Sequence, residues 1–437
     1  MKKKFLDAFG QHRILGGAFV LTVTQLAASV AGLLRDHLLN RTFTGLSVVD
    51  VYYASFRPSD LFFQITIMAA YSVALVPLLA KYKVENRRED MDRLLNGVIG
   101  MSALGFGVLA LVLAAIFPRI APLFVKFRGE ELHMYVQFGR IALLTNFLFV
   151  FGNAYGQYFI TVQKYWIYGI TPVLYTLGTV FGTVFLTKSI GPYGPIVGTL
   201  IGAVIYVLVR LWGAWRLGYR PKFLFWHADI TELGWLMLPR MAALGILYLE
   251  LLFFDGIASG LSAGSVTINN NARNFQSVIV GAVGFALALA VFSLLSQAAV
   301  KKEAARFKMY LRKGIGILLL FTLPSAVILW FAAPIAAALV HLSAELPVFS
   351  VCLAIYAVSI PFECLNHLLF RAFYALKDTT IPAIISVGSG ALAIAASLWL
   401  TPTMGIYGLA VGYTSGQVVQ LLCLAAVLPG KVRKLAL

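Results

Sequence analysis

The sequence has little charge. Only 12% of its 437 residues are Asp, Glu, Lys or Arg, whereas about one-quarter of an ordinary soluble domain is charged. Hydrophobic residues make up 60% of the chain, and the mean hydropathy is +0.85. A soluble fold of this length needs far more charge to cover its surface. The scarcity therefore excludes a soluble enzyme, a nucleic-acid-binding module and a disordered chain, so no nucleic-acid partner is expected.

Acidic residues and cysteines are also scarce. There are 18 Asp and Glu against 35 Lys and Arg, a formal net charge of +17, which in a membrane protein indicates loops held at an anionic cytoplasmic surface. Cys352, Cys364 and Cys423 lie in apolar stretches without disulfide or metal-ligand spacing, so we expect three small core side chains. The sequence lacks zinc-protease, phosphate-loop and nucleophile-elbow motifs. We expect no enzyme, no metal site and no cofactor.

Long apolar runs, by contrast, are abundant. A helix needs roughly 20 apolar residues to cross about 30 Å of hydrocarbon. The runs predict an all-α integral membrane protein with about twelve transmembrane helices, and no intervening segment is long enough for a separate soluble domain. The predicted spans lie near residues 14–34, 51–80, 95–117, 134–160, 166–187, 194–215, 233–256, 266–298, 312–340, 346–374, 379–400 and 404–428.

The distribution of basic residues predicts the topology. If the N-terminus is inside, inner segments hold 25 of the lysines and arginines and outer segments hold 6. This asymmetry favours cytoplasmic termini at both ends and an even number of spans. The remaining four arginines lie at membrane depth or its margins: Arg57, Arg140, Arg240 and Arg273.

The two halves of the sequence repeat each other at a nearly fixed offset, which predicts six-helix lobes at residues 1–222 and 223–437. Glycine rows, an arginine and an aspartate recur in the same order. Six spans per half give the lobes the same orientation, a known transporter plan with the substrate site between lobes. The matching pairs are Gly191/Gly405, Gly194/Gly408, Gly198/Gly412, Gly202/Gly416, Arg57/Arg273, Ala74/Ala290 and Asp36/Asp255.

A charged and aromatic segment, residues 50–60, is the sharpest local feature. Asp50 and Arg57 share one helical face by their spacing. Pro58 removes a backbone donor and disfavours helical dihedrals at Arg57, so we expect the helix to break at this charge. A broken helix with an ionisable residue at depth is typical of a transport site. The alternative is a structural Arg57–Asp60 ion pair near a helix end.

The corresponding segment of the second half, residues 269–276, is rich in amide groups around Arg273. Asn270, Asn274 and the guanidinium are costly against lipid, so we expect them to face a wet cavity. An extracellular helix mouth is the alternative. Arg35-Asp36 is equally compatible with a binding role and with an interfacial ion pair at the end of the first span.

Three membrane carboxylates, Glu250, Asp255 and Glu363, are candidates for coupling transport to a cation or proton. Salt bridging to Arg240 or hydrogen bonding between helices is the alternative that we favour for the group as a whole.

The chain resembles the MurJ (MviN) lipid II flippases of the multidrug/oligosaccharidyl-lipid/polysaccharide exporter superfamily. The resemblance rests on residues 28–82: Arg35-Asp36, then Asp50 opening an aromatic stretch that ends in Arg57, then a small-x-Ser-x-x-apolar-Val-Pro segment from Ala70 to Pro77. Phe63 and Met68 stand where the family has an arginine and a glutamate. The family commonly has fourteen spans, so the sequence resembles a version without the C-terminal pair that forms a lipid-tail groove.

The resemblance implies a V-shaped, two-lobed flippase of the bacterial inner membrane. It would carry an undecaprenyl-pyrophosphate-linked disaccharide-pentapeptide to the outer leaflet by alternating access through a cationic central cavity. The predicted substrate-binding residues are Arg35, Asp36, Asp50, Arg57, Asn270, Arg273 and Asn274. Coupling to sodium, protons or membrane potential would use Asp255, Glu250 or Glu363. We expect a monomer whose only other partners are membrane lipids.

Other functions remain open. Within the superfamily they are a flippase for another lipid-linked oligosaccharide and a drug exporter. A membrane-embedded glycosyltransferase usually needs a catalytic carboxylate in a large outer loop, and the predicted outer loops are short. A noncatalytic scaffold is disfavoured by the arginines at membrane depth.

Overall fold

Helices form all the regular structure in residues 2–71 and 75–434, the part of the chain that the computed structural model describes. The all-α membrane fold is thereby confirmed. The helices are α1 Lys2–Thr42, α2 Ser47–Phe63, α3 Val76–Val84, α4 Arg88–Phe124, α5 Gly129–Thr161, α6 Tyr165–Phe181, α7 Thr187–Ile190, α8 Gly194–Arg216, α9 Ile230–Ala258, α10 Ser265–Ile279, α11 Ala286–Val300, α12 Ala304–Phe331, α13 Ala333–Leu339, α14 Leu346–Ala375, α15 Thr380–Met404 and α16 Tyr407–Lys434.

Nine stretches of the described chain are long and apolar enough to cross a membrane, so the predicted number of twelve is not confirmed. Two predicted spans, 166–187 and 194–215, lie in one stretch of 52 residues, Tyr165–Arg216. The predicted spans 51–80 and 233–256 correspond to α2–α3 and α9, which are not among the nine. Ser72 and Ala74, which belong to the predicted motif and repeat, lie outside the described residues.

The chain divides into two compact units. Unit 1 comprises Met1–Thr44, Ser55–Leu123 and Phe127–Leu244; unit 2 comprises Gly45–Ala54, Phe124–Lys126 and Gly245–Leu437. The boundary between the two large segments falls inside α9, and two short segments of the first half belong to unit 2. The predicted lobe boundary at residues 222/223 stays a prediction.

Irregular backbone positions recur in the two halves at the offsets of the sequence repeat. Gly191 ends α7 with φ 58° and ψ −135°, and Gly405, 214 residues later, ends α15 with φ 60° and ψ −138°. Both angles suit glycine because a side chain would be strained there. A π-helical segment starts at Gln64 in the first half and at Val280, 216 residues later, in the second. The halves thus share helix breaks as well as residues.

The glycine rows are helix-packing sites. A Cβ on Gly178 of α6 would lie 2.5 Å from the Gly202 Cα of α8, so these helices touch through their backbones. In the second half, a Cβ on Gly408 of α16 would lie 2.7 Å from the Thr401 nitrogen of α15. Close approach through small residues is how membrane helices associate without a hydrophobic driving force between them.

Arg210 of α8 is buried inside unit 1. Its Nε donates to the Thr171 hydroxyl at 2.8 Å, and its two terminal nitrogens donate to the carbonyls of Gly152 at 2.7 Å and Tyr168 at 3.0 Å. The guanidinium carbon also lies 4.0 Å from the centre of the Tyr206 ring. These acceptors replace water and tie α5, α6 and α8 together.

The cysteines only partly match their prediction. Cys352 and Cys364 are buried, as expected of small core side chains, but Cys423 is exposed on α16. The apolar run around Cys423 indicated burial, yet an apolar residue of a membrane helix is equally stable facing lipid.

Candidate functional site

Arg35 and Asp36 form an ion pair in unit 1. The Arg35 Nη2 lies 2.7 Å from the Asp36 Oδ1, and Nε donates to the same oxygen at 2.8 Å. The pair does not cap the first span, because α1 continues to Thr42. It is therefore held within the helix, with the aspartate buried and the arginine partly accessible.

The expected helix break at Arg57 is absent. Helix α2 runs from Ser47 to Phe63 with Pro58 inside it, and the irregular segment begins only at Gln64. Membrane helices tolerate proline because neighbouring groups and local adjustments satisfy the freed carbonyl. Arg57 is partly buried in this continuous helix.

Two polar residues that follow Arg57 are bound to α5. The Asn146 Nδ2 donates to the Asp60 Oδ1 at 2.8 Å and to the Ser59 hydroxyl at 2.7 Å. Arg57 is near enough to act electrostatically on Asp60. Asp60 therefore has an amide partner in addition to the nearby guanidinium of Arg57.

Asp50 stabilises the start of α10 in unit 2. One carboxylate oxygen accepts from the Gly264 backbone N–H at 2.7 Å; the other accepts from the Thr267 N–H at 2.7 Å and from its hydroxyl at 2.6 Å. A carboxylate at a helix N-terminus satisfies orphan N–H groups and interacts favourably with the helix dipole. Asp50 thus caps α10, and its predicted role in substrate binding stays a prediction.

Arg273 lies beside a carboxylate and two aromatic rings in unit 2. Its Nη2 donates to the Glu250 Oε1 at 3.5 Å, and its guanidinium carbon lies 4.7 Å from the Tyr413 ring centre and 5.9 Å from that of Phe254. Only 13% of the arginine side chain and 8% of the glutamate side chain are exposed. The Arg273 Nη1 is buried and has no hydrogen-bond partner among the described residues. Within the described chain this nitrogen is therefore an unused donor.

Glu363 belongs to a hydrogen-bonded group in unit 2. Its Oε2 accepts from the Gln276 Nε2 and the Tyr413 hydroxyl, both at 2.6 Å, and Gln276 also donates to the Ser359 hydroxyl at 3.2 Å. Since the Tyr413 ring also lies over Arg273, one tyrosine contacts both charged side chains. Two predicted site residues, Arg273 and Glu363, thus share a neighbour that the sequence did not single out.

Asp255 and Asn270 form a separate contact in unit 2. The Asn270 Nδ2 donates to the Asp255 Oδ1 at 2.9 Å, and both side chains are buried. Asn274, one turn further along α10, is exposed. The asparagine segment therefore combines buried and accessible groups on one helix.

The salt bridge from Glu250 to Arg240, one of the alternatives favoured for the acidic residues, stays a prediction. Glu250 pairs with Arg273; the side chain of Arg240 lies outside the described residues. Sequence reasoning missed Tyr413, whose only signal is a polar group on a largely apolar helix, which is weak because buried tyrosine commonly hydrogen-bonds between helices. Gln276 lies in the predicted amide-rich segment 269–276 but was not singled out. Among the described residues, no group of three or more His, Cys, Asp or Glu side chains is arranged to hold a metal ion.

Relatives of similar sequence carry the name lipid II flippase MurJ. The chain is 24% identical over 410 residues to the lipid II flippase MurJ of Burkholderia cenocepacia, an alignment that covers 89% of this chain and 79% of that protein. It is 26% identical over 422 residues to the probable lipid II flippase MurJ of Thermotoga maritima, covering 93% and 85%.

Solved structures share the fold. A lipid II flippase MurJ in an inward closed conformation matches with a TM-score of 0.78 and 19% identity, covering 96% of this chain and 90% of that chain. An inward-facing multidrug resistance MATE family transporter of the MOP superfamily matches with a TM-score of 0.76 and 15% identity, covering 93% and 95%. A family model described as lipid II flippase MurJ matches residues 39–435. The chain therefore belongs to the MurJ family of multi-pass bacterial membrane proteins.

Proposed function

We propose that this protein is a flippase that moves lipid II from the inner to the outer leaflet of the bacterial cytoplasmic membrane by alternating access. The proposal is supported by the family match over residues 39–435 and by relatives named lipid II flippase. The protein acts as a transporter and not as an enzyme. Its substrate is an undecaprenyl-pyrophosphate-linked glycan surrounded by membrane lipids, and it works as a monomer.

The unused donor of Arg273 is the observation that carries the binding role. A pyrophosphate cannot cross hydrocarbon unless its charge is compensated, and arginine binds phosphate through charge-assisted, often bidentate, hydrogen bonds. Glu250 occupies one terminal nitrogen of Arg273 and leaves Nη1 free of hydrogen bonds within the described chain. An incoming phosphate oxygen would satisfy this donor.

Arg57 is proposed as the corresponding phosphate ligand of the first half, since it precedes Arg273 by the 216 residues that also separate the π-helical segments. Arg35, which is partly buried, and Asn274, which is exposed, are proposed to assist. Asp36, Asp50 and Asn270 also belong to the proposed substrate-binding set, and their bonds within the protein hold the surrounding helices in place.

Coupling is proposed to involve the carboxylates of unit 2. Asp255 is our first candidate for the cation ligand because it repeats Asp36 at an offset of 219. Glu250 and Glu363 lie around Arg273 and Tyr413 and are the further candidates. If Asp255→Asn leaves transport equally sensitive to sodium, proton gradient and potential, Asp255 is not the ligand.

Both termini are proposed to be cytoplasmic. The distribution of 25 inner and 6 outer basic residues supports this orientation. Single cysteines placed near each end should both resist an impermeant thiol reagent in intact cells. Labelling at one end only would require an odd number of spans.

Rescue of cells depleted of their own lipid II flippase tests the function. The wild-type protein and Arg119→Ala, which removes an exposed arginine predicted to lie outside, should restore growth and the appearance of labelled lipid II at the outer leaflet. Arg57→Ala should insert at wild-type levels and fail to rescue, and Arg57→Lys should rescue only partly because lysine lacks the guanidinium fork. Full rescue by Arg57→Ala would remove that residue from the binding role, and no rescue by well-expressed wild-type protein would refute the function.

A further inference from the structure

A non-helical segment joins the two halves of the chain. Residues 217–229, here called the strap, connect α8 to α9 and contain turns and irregular backbone. The whole strap belongs to unit 1. Its inner side is fixed to α4 through Asn96, whose Oδ1 accepts from the Tyr219 hydroxyl and from the Lys222 N–H at 3.0 Å; its Nδ2 donates to the Arg220 carbonyl at 3.0 Å.

Two further features hold the strap against unit 1. The Tyr82 hydroxyl donates to the Asp229 carboxylate at 2.7 Å. On α4, a Cβ on Gly97 would lie 3.1 Å from the Trp226 backbone, and a Cβ on Gly100 would collide with the Leu224 carbonyl oxygen. The glycines therefore let the strap backbone lie directly on the helix. The hydrogen bonds of the strap to Asn96 and Tyr82 are made on this inner side.

The outer side of the strap is aromatic and basic. Phe223 is fully exposed at 100%, and Phe225 and Trp226 are exposed at 56% and 57%. On the last turns of α8, which ends a candidate membrane span, Trp212 and Trp215 are also exposed. The basic side chains Arg216, Arg220 and Lys222 lie among them and are exposed.

Acidic residues are absent from this sequence between Trp212 and Trp226, and the next one, Asp229, is turned inward to Tyr82. The Arg216 guanidinium carbon lies 5.0 Å from the Trp212 ring centre, so a cation and an indole ring are in direct contact on this surface. A water-exposed loop has no physical reason to present three large apolar rings. Aromatic side chains interleaved with lysine and arginine are typical of segments in the headgroup layer, where rings meet the acyl boundary and cations meet phosphates.

We infer that the strap is an interfacial lipid-binding element whose partner is the anionic phospholipid of the adjoining leaflet. Phe223, Phe225 and Trp226 enter the headgroup layer, and Arg216, Arg220 and Lys222 bind lipid phosphates. Asn96 positions the strap by fixing its backbone on α4. On the proposed topology this leaflet is the cytoplasmic one. The inference does not depend on the flippase function and can be tested without transport.

The test uses the full-length protein with Cys423→Ser, since the other two cysteines are buried. Phe225→Cys is labelled with an environment-sensitive nitrobenzoxadiazole group in nanodiscs of phosphatidylcholine or of phosphatidylcholine with phosphatidylglycerol. Glu89→Cys is the aqueous reference, because the side chain of Glu89 is 90% exposed on the first turn of α4. The label at 225 should be quenched by brominated lipid and protected from iodide, whereas the label at 89 should show the reverse.

The charge requirement is tested with the triple variant Arg216→Gln, Arg220→Gln, Lys222→Gln. At about 1 kcal/mol for each basic residue near an anionic surface, its affinity for brominated phosphatidylglycerol in mixed micelles should fall by roughly 100-fold. Lys301→Gln, Lys302→Gln, Lys308→Gln removes the same charge from exposed positions elsewhere and should leave quenching at 225 within about twofold of wild type.

Three results would overturn the inference. Iodide quenching at 225 without lipid quenching would place the strap in water, as expected for a surface that binds a protein. Equal affinity for brominated phosphatidylglycerol and phosphatidylcholine would remove the anionic preference. Equal losses in the two triple variants would show that net charge, and not the strap, attracts the lipid.

Discussion

The Arg273–Glu250 ion pair gives the sharpest test of how charge is held in unit 2. The two groups are 3.5 Å apart and nearly buried. At an effective dielectric constant of about 20, two unit charges at this distance attract by roughly 5 kcal/mol. Removing one partner leaves a buried charge uncompensated, which typically costs about 3–5 kcal/mol. Arg273→Ala should therefore lower the unfolding free energy by that amount.

A double-mutant cycle separates this structural cost from the binding role. Glu250→Gln removes the carboxylate charge that Arg273→Ala leaves uncompensated. The loss of unfolding free energy in the double variant should therefore be about 2–4 kcal/mol smaller than the sum of the losses in the two single variants. Thermal and denaturant unfolding in detergent would measure each variant. The double variant should fold and still fail to rescue depleted cells, since the donor that we assign to phosphate is missing. The exposed pair Arg306–Glu303 is the control and should couple by less than about 1 kcal/mol.

Two results would refute this reasoning. A coupling energy as small as that of the Arg306–Glu303 control would mean that Arg273 and Glu250 do not compensate each other. Rescue by the double variant would mean that Arg273 serves stability only, and its free Nη1 would then have no part in transport.

Three further predictions concern other parts of unit 2. Asp50→Asn should destabilise by about 1–3 kcal/mol in thermal unfolding, because the N-terminal N–H groups of α10 lose a charged acceptor. Gly284→Ala should cost about 1–3 kcal/mol because its Cβ would collide with the Cys364 sulfur, whereas Gly281→Ala in the same π-helical segment meets nothing within 4 Å and should be nearly neutral. The hydrogen bond from Lys431 lowers the pKa of Asp378 below its ordinary 3.8. The ionised carboxylate therefore stabilises the folded protein fully above pH 3.8, and this stabilisation disappears as the pH falls through the lowered pKa. Asp378→Asn should flatten the acid side of a Tm-against-pH curve.

The repeat was the most predictable part of the fold. Glycines and charged residues recur in the sequence, and the structure adds matching backbone breaks at the same offsets, as at Gly191 and Gly405. Backbone angles that only glycine adopts easily leave a direct trace in sequence. The prediction of a helix break at Pro58 was wrong, because a proline in the sequence indicates a break less reliably than a glycine indicates a left-handed backbone. Membrane helices contain proline without ending, and neighbouring groups decide the outcome.

The candidate site was predictable in its residue types but not in its partners. The sequence identified Arg273, Glu250 and Glu363 as unusual at membrane depth, and the structure connects them through Tyr413. Pairing depends on which helices are neighbours, and periodicity along one helix does not contain that information. Arg210 shows the same limit, because the acceptors that allow it to be buried come from α5 and α6.

The cap formed by Asp50 has a consequence for how the protein is made. Asp50 is separated by 214 residues from Gly264, whose N–H it accepts. At a synthesis rate of about 5–20 residues per second, the ribosome needs roughly 10–40 s to produce the donors after the carboxylate. During that interval the carboxylate lacks these native partners. A chaperone or insertase that shields α2 would act during this delay. Slowing translation between α2 and α10 should lower the yield of folded protein more than slowing it after α10.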